Sequence, residues 1–225
     1  MDTPLLLSLE QKVDPKHTAI VVVDVLNDFC AKGSYFDRLG NDLRSIQAMV
    51  PRLVEFIDAA RRRRVPVVFI RNNYDAAFLS ANVKERFHRN KYGMPPCQPG
   101  TWGAEFYMVK PEPHELIVTK HRYDAFEGTD LDVILRSKGI HTILLTGVTT
   151  ECCVESTGRH AYMKGYYVVL VRDATGTYDP ALQQMTERNV DDLFGVVADT
   201  DQVKEIWKRL GPTEAAARER EAAAV

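Results

Sequence analysis

No apolar run in the chain approaches the ~20 residues that a membrane-spanning helix needs, which excludes a helical membrane anchor from the reading. The amino terminus has no basic segment followed by an apolar core and a cleavage site, so a cytoplasmic protein is expected. Cysteine is scarce, with four residues (Cys30, Cys97, Cys152, Cys153) in 225. That is too few for a disulfide scaffold, and without C-x-x-C spacing no structural zinc is expected, only reduced thiols. Neither sign of charge dominates, since 29 Lys+Arg oppose 31 Asp+Glu for a net charge of -2. The basic residues are scattered, which argues against nucleic acid or an anionic membrane as partner. The run Arg61-Arg62-Arg63-Arg64 closes an amphipathic segment, where cations are favourable at a helix carboxyl terminus. Glycine-rich phosphate loops are also missing: Gly33 stands alone after the first strand, with no G-x-G-x-x-G, so no nucleotide cofactor is expected.

What is present is a regular alternation of strand and helix patterns. Thr18–Asp24 is apolar on both faces and ends on an acid, as a buried parallel strand would. A helix is predicted at about 42–64, where Ile46, Met49, Val50, Leu53, Ile57 and Ala60 recur at three- and four-residue intervals. Strands at 66–71, 115–120, 141–146, 167–172 and 194–198 follow, with helices at about 130–138, 180–189 and 200–210. Thr129 and Asp132 are placed to cap the first of these, and Gly139 to stop it. Residues 72–113 form the least regular stretch, and a connection of that length usually carries function or is partly disordered. The order implies an α/β fold, a three-layer α/β/α sandwich of Rossmann type with a mostly parallel sheet of roughly six strands. A length of 225 residues suits one domain, read as 1–210, followed by an Ala-, Glu- and Arg-rich tail at 211–225 that is expected to fray.

The chemistry concentrates at strand ends. In Thr146-Gly147-Val148-Thr149-Thr150-Glu151-Cys152-Cys153-Val154 a buried strand gives way to a helix that ends near Gly165, placing Cys153 in the first helical turn. Unpaired N–H groups there favour a thiolate and can hold an oxyanion. A cysteine is by default a small buried hydrophobe; here two other strands deliver Asp24 and Lys120 to the same edge, where open parallel sheets bind ligands. An acid, a base and a nucleophile in one crevice support acyl transfer. Cys152 is the rival nucleophile, but consecutive residues of a helix point about 100° apart, so only one faces the crevice. Asn27, Phe29, Tyr35, Asn72, Trp102, Tyr123 and Phe126 lie in loops after strand ends and are candidates to line a pocket for a small-molecule substrate. Glu151, beside the nucleophile, is placed to select a cationic or amide-bearing group.

These motifs resemble the isochorismatase-like cysteine hydrolases, over about Thr18 to Gln202. The family's cysteine directly precedes a valine, which matches Cys153; its Asp matches Asp24 in Val22-Val23-Asp24-Val25-Leu26-Asn27-Asp28-Phe29, and its Lys matches Lys120. The resemblance further implies a cis peptide between Val148 and Thr149, with the Thr149 N–H joining that of Cys153 at the oxyanion. It implies a homo-oligomer, dimer or tetramer. Nicotinamidases of this family bind a metal through an Asp-x-His and a further His near the second strand; here that stretch reads Arg71-Asn72-Asn73-Tyr74-Asp75, so no metal is expected. Lys120-His121-Arg122-Tyr123-Asp124-Ala125-Phe126 and Gly100-Thr101-Trp102-Gly103 are similar to the ureidoacrylate amidohydrolase and biuret hydrolase branch, although Asp124-Ala125 replaces that branch's Ser-Gly. The implied activity is cysteine-dependent hydrolysis of a C–N bond in a small amide or ureido substrate. Vinyl-ether hydrolysis, which needs no thiol, and a catalytically silent binding protein are the alternatives.

Overall fold

A computed structural model describes residues 4–90 and 92–211. The predicted tail therefore lies outside the described residues beyond Gly211. Six strands form one sheet: β1 (Thr18–Val23), β2 (Val67–Asn72), β3 (Leu116–Lys120), β4 (Thr142–Val148), β5 (Tyr167–Gly176) and β6 (Val196–Ala198). Every pairing is parallel, in the order β3-β2-β1-β4-β5-β6. The chain thus builds outward from β1 in one direction, then returns to its other side with β4 and builds the opposite way. The β1/β4 boundary is the point where strand order reverses, and there the crevice beyond the carboxyl ends opens.

In chain order the helices are α1 (Leu9–Lys12), α2 (Asn27–Cys30), α3 (Tyr35–Arg38), α4 (Arg44–Arg62), α5 (Ala81–Arg89), α6 (Leu131–Ser137), α7 (Glu155–Met163), α8 (Pro180–Asn189) and α9 (Thr200–Arg209). Alternation along β1 explains the layers, because successive side chains leave a strand on opposite faces. Ile20 and Val22 join α4 and α9 through Ile46, Leu53, Phe56 and Trp207. Ala19, Val21 and Val23 join α6 and α7 through Leu131, Leu135 and Ala161. Phe56 and Trp207 stack with ring centroids 5.3 Å apart, and the Trp207 indole N–H donates to the Val13 carbonyl, fixing α9 to the start of the fold. None of the helices among the described residues is long and apolar enough to cross a membrane.

The predicted elements fall into place with local differences. β5 continues to Gly176, and β6 begins only at Val196, because Val190–Phe194 extends α8 as a π-helical turn. Asp132 does not reciprocate the cap of α6; it pairs with Arg136 and accepts from the Tyr166 hydroxyl, while the Thr129 hydroxyl receives the Leu131 N–H. The stretch 72–113 is more ordered than its composition suggests, holding α5 with Ser80 at its start.

Candidate active site

Gly147 fixes the geometry at the centre. It lies opposite Val23 in the β1–β4 pairing with φ +103°, a conformation that L side chains rarely adopt. A Cβ at that position would collide with the Val23 carbonyl oxygen and nitrogen, and lie 2.8 Å from its carbonyl carbon. The ends of β1 and β4 therefore approach more closely than two side-chain-bearing strands allow, bringing Asp24 beside the turn that carries the cysteines. Asp24 itself has φ +51°, and its N–H donates to the Ile70 carbonyl at 3.0 Å, so the chain leaves β1 through a fixed bend. After β4 the Val148–Thr149 peptide is cis, as the family resemblance implies. The expected first α-helical turn is a π-helical one, Thr150–Val154, which passes into α7 at Glu155. The Thr157 hydroxyl ties this turn down, donating to the Cys153 carbonyl at 2.7 Å and accepting the Ala125 N–H from the loop after β3.

The structure brings Asp24, Lys120 and Cys153 together. The Lys120 ammonium stands 2.7 Å from Asp24 Oδ2, with both side chains fully buried, and 3.5 Å from Cys153 Sγ; it also donates to the Arg122 carbonyl at 3.0 Å. Burial raises the Asp24 carboxyl above its ordinary range, with Lys120 pulling the other way. Burial opposes the charge on Lys120, yet Asp24 and the neighbouring thiol outweigh it and hold the ammonium above its usual value. Hydrogen bonding with the Cys152 thiol and burial push Cys153 up, against the pull of Lys120. These effects favour the thiol form of Cys153 beside the Lys120–Asp24 pair. The Asp24 carboxyl, whose affinity for protons burial increases, lies in the same buried cluster.

The cavity in front of Cys153 encloses about 600 Å³. Of the residues predicted to line it, Phe29, Tyr123, Glu151 and Thr149 do so, together with Cys152 and Cys153. The Oε2 atom of Glu151 is buried with no hydrogen-bond partner among the described residues, a state that costs free energy until a donor arrives. The remaining candidates serve elsewhere. Asn27 donates to the Trp102 carbonyl at 2.8 Å, holding the loop after β1 to the 97–103 segment, while the Trp102 ring is half exposed outside the cavity. Tyr35 turns its hydroxyl to the Tyr92 carbonyl at 2.8 Å. Phe126 packs in the core against Tyr166. Asn72 lies in register with Lys120, buried and outside the cavity wall, and neither polar side-chain atom has a hydrogen-bond partner among the described residues. Val148 is wholly buried and contributes its peptide, not its side chain.

Sequence reasoning missed the far wall: Phe36, Tyr74, Arg86, Phe87, Tyr92 and Tyr178. A signal existed for part of it, since Val83, Arg86 and Phe87 fall at helical spacing after a serine. Among the described residues one trio of metal-ligand type, Asp124, Glu127 and His160, comes together. It lies outside the wall that carries Cys153, and His160 Nδ1 is already bonded to the Asp124 carboxylate.

A parallel α/β sheet thus brings a carboxylate, an ammonium and a thiol together at its switch point. Residues 18–202 match the isochorismatase domain, and the chain belongs to the isochorismatase family of hydrolases. It is 33% identical over 200 residues to the ureidoacrylate amidohydrolase RutB of Methylorubrum extorquens, covering 83% of this chain and 81% of that protein. A cysteine hydrolase from Pseudomonas syringae pv. phaseolicola superposes with a TM-score of 0.78 at 24% identity, over 94% of this chain and all of the other, and shows the shared fold. N-carbamoylsarcosine amidase from Thermoplasma acidophilum is 26% identical with a TM-score of 0.66, covering 82% of this chain and 97% of its own.

Proposed function

We propose that the chain is a cysteine-dependent amidohydrolase that cleaves a C–N bond of a small amide or ureido substrate through a thioester. The observation that carries this reading is the contact of Lys120 with both Asp24 and Cys153, the last of which lines the cavity. The names of the relatives, a ureidoacrylate amidohydrolase and an N-carbamoylsarcosine amidase, support it.

In the first half-reaction Cys153 Sγ attacks the substrate carbonyl while its proton passes to Asp24. Lys120 offsets the charge that would otherwise accumulate among three buried groups. The Thr149 and Cys153 N–H groups receive the developing oxyanion, which fixed donors stabilise without reorganising. The tetrahedral adduct collapses, the C–N bond breaks, and Asp24 returns the proton to the departing nitrogen as ammonia or amine. A water then gives its proton to Asp24 and attacks the thioester carbonyl, the C–S bond breaks, and Cys153 recovers the proton from Asp24. Glu151 Oε2, lacking a donor, accepts an N–H of the bound amide or ureido group.

Release of ammonia from biuret, ureidoacrylate, N-carbamoyl amino acids, maleamate and simple amides tests the reading. Turnover of at least one of these is expected, and it should vanish in C153A with the fold intact. Undiminished ammonia release by C153A would overturn the assignment.

A further inference from the structure

Three carboxylates and one accessible cation face the catalytic cavity among the described residues, and their pairing is unequal. Asp42 is bound by Arg44 at 2.6 Å, and Asp179 Oδ1 accepts the Ala181 N–H at the start of α8. Glu151 keeps its buried Oε2 unsatisfied. Lys120 is sealed behind Cys153 against Asp24. That leaves Arg86, on α5, which lines the cavity from the side opposite α8 and has no carboxylate within ion-pair distance among the described residues. Its guanidinium is held instead by aromatic faces, 4.8 Å from the centroid of Phe87 and 5.3 Å from that of Tyr123. Stacking of this kind fixes the plane of a guanidinium while leaving its N–H edge free to bind. Only half-buried, it stands where solvent is partly excluded, so a charge-assisted hydrogen bond formed there is worth more than one on the open surface.

Resting on the amidohydrolase reading, we propose that Arg86 binds an anionic group at the end of the substrate remote from the scissile carbonyl, so that the enzyme selects amide or ureido acids over their neutral counterparts. Arg86 and Glu151 then orient the molecule between them. The guanidinium takes a carboxylate through two parallel N–H bonds, and the Glu151 carboxylate takes the N–H donors beside the carbonyl that Cys153 attacks. The acid-rich remainder of the wall turns away anions that arrive without such a docking point. The preference therefore resides in one residue.

The probes are 3-ureidopropionate and its methyl ester, which share the ureido end and differ at the remote carboxyl, charged in one and capped by a methyl group in the other. Calorimetric titration of each into C153A, which cannot turn them over, and into the C153A R86Q double variant reads the effect directly. The acid should bind C153A about ten- to a hundredfold more tightly than the ester. R86Q should remove that gap by weakening the acid far more than the ester, and R86K, which keeps the charge and loses the planar fork, should restore only part of it. Equal binding of acid and ester to C153A overturns the proposal. So does equal weakening of both by R86Q, which would mean that Arg86 only supports the wall, and so does binding of neither compound. Ammonia release by the wild-type enzyme separates the two readings. Binding through Arg86 without ammonia from any amide would leave the anion site standing and remove the amidohydrolase assignment. Turnover of neutral amides without acid binding would do the reverse.

Discussion

Asp24, Lys120 and the Cys153 turn hang from three strands of one hydrogen-bonded sheet, whereas Arg86 and Phe87, on the opposite wall of the cavity, belong to a nine-residue helix in the connection between β2 and β3. The first region has no freedom to adjust. Its acid and base are both wholly buried, and Gly147 and Val23 approach within a distance that no side chain tolerates. The second is held by aromatic stacking, by the Tyr35 hydroxyl on the Tyr92 carbonyl and by Gln98 on the Tyr74 carbonyl. On the proposed reading chemistry falls to the sheet-borne region and recognition to the wall outside the sheet, a division that would let the wall vary while the reacting atoms keep their distances.

The sharpest way to break this comparison is at the nucleophile. C153A should lower turnover by about 10⁴-fold or more, while C152A, at the neighbouring cavity residue, should retain most activity. Ammonia release decides between them, and comparable losses would make the two cysteines one functional unit. Next comes D24N. It removes the proton acceptor and leaves Lys120 buried without a counter-charge, a loss of about 3–5 kcal/mol of stability that a denaturation midpoint would register. The ionised carboxylate is the active form, and burial raises its pKa, so activity should be present above that raised value and lost as pH falls through it. The acid limb of kcat/KM is therefore expected above about 3.9, the ordinary aspartate value, and an inflection at or below it would contradict the geometry. G147A should cost about 3 kcal/mol or more, because Val23 backbone must move. G100A, at a positive φ of +73° with open space around it, should cost only about 1–2 kcal/mol. Equal costs would mean that the two regions are equally pliant. The smallest effect is expected from W102A, whose ring lies outside the cavity, with kcat/KM changing less than about twofold, well below the loss from Y123A in the wall.

The same division decides what was legible in the sequence. Strands announce themselves through β-branched runs, whether buried on both faces like β1 or at the sheet edge like β3, and a polar residue that ends such a run is placed by the strand itself. Asp24 and Lys120 are therefore visible from the chain alone, and Cys153 is visible from the turn that follows Gly147. The fold class follows from the same alternation. The walls were not legible in this way, because a loop residue's position depends on long-range ties that leave no periodic trace. Asn27 and Trp102 follow strand ends as expected, yet they bind each other instead of a ligand. Arg86 sits in a stretch dominated by Gly, Pro and polar residues, where the helix that aims it covers only two and a half turns and has a single buried side chain, Phe87. The π-helical form of the cysteine turn was equally hidden, since it depends on how tightly β1 and β4 meet.

The sealed contact between Lys120 and Asp24 has a consequence for how the enzyme meets the ionic atmosphere of its surroundings. Mobile ions cannot enter a fully buried pair, and screening weakens chiefly those charges that water reaches. On the proposed mechanism the chemical step would carry its own counter-ion and be insulated from the salt around it. A cation in an open cavity such as Arg86 has no such insulation. Raising ionic strength should leave kcat nearly level while KM for an acidic substrate climbs, so that a change of medium alters which molecules are captured without altering what is done to them.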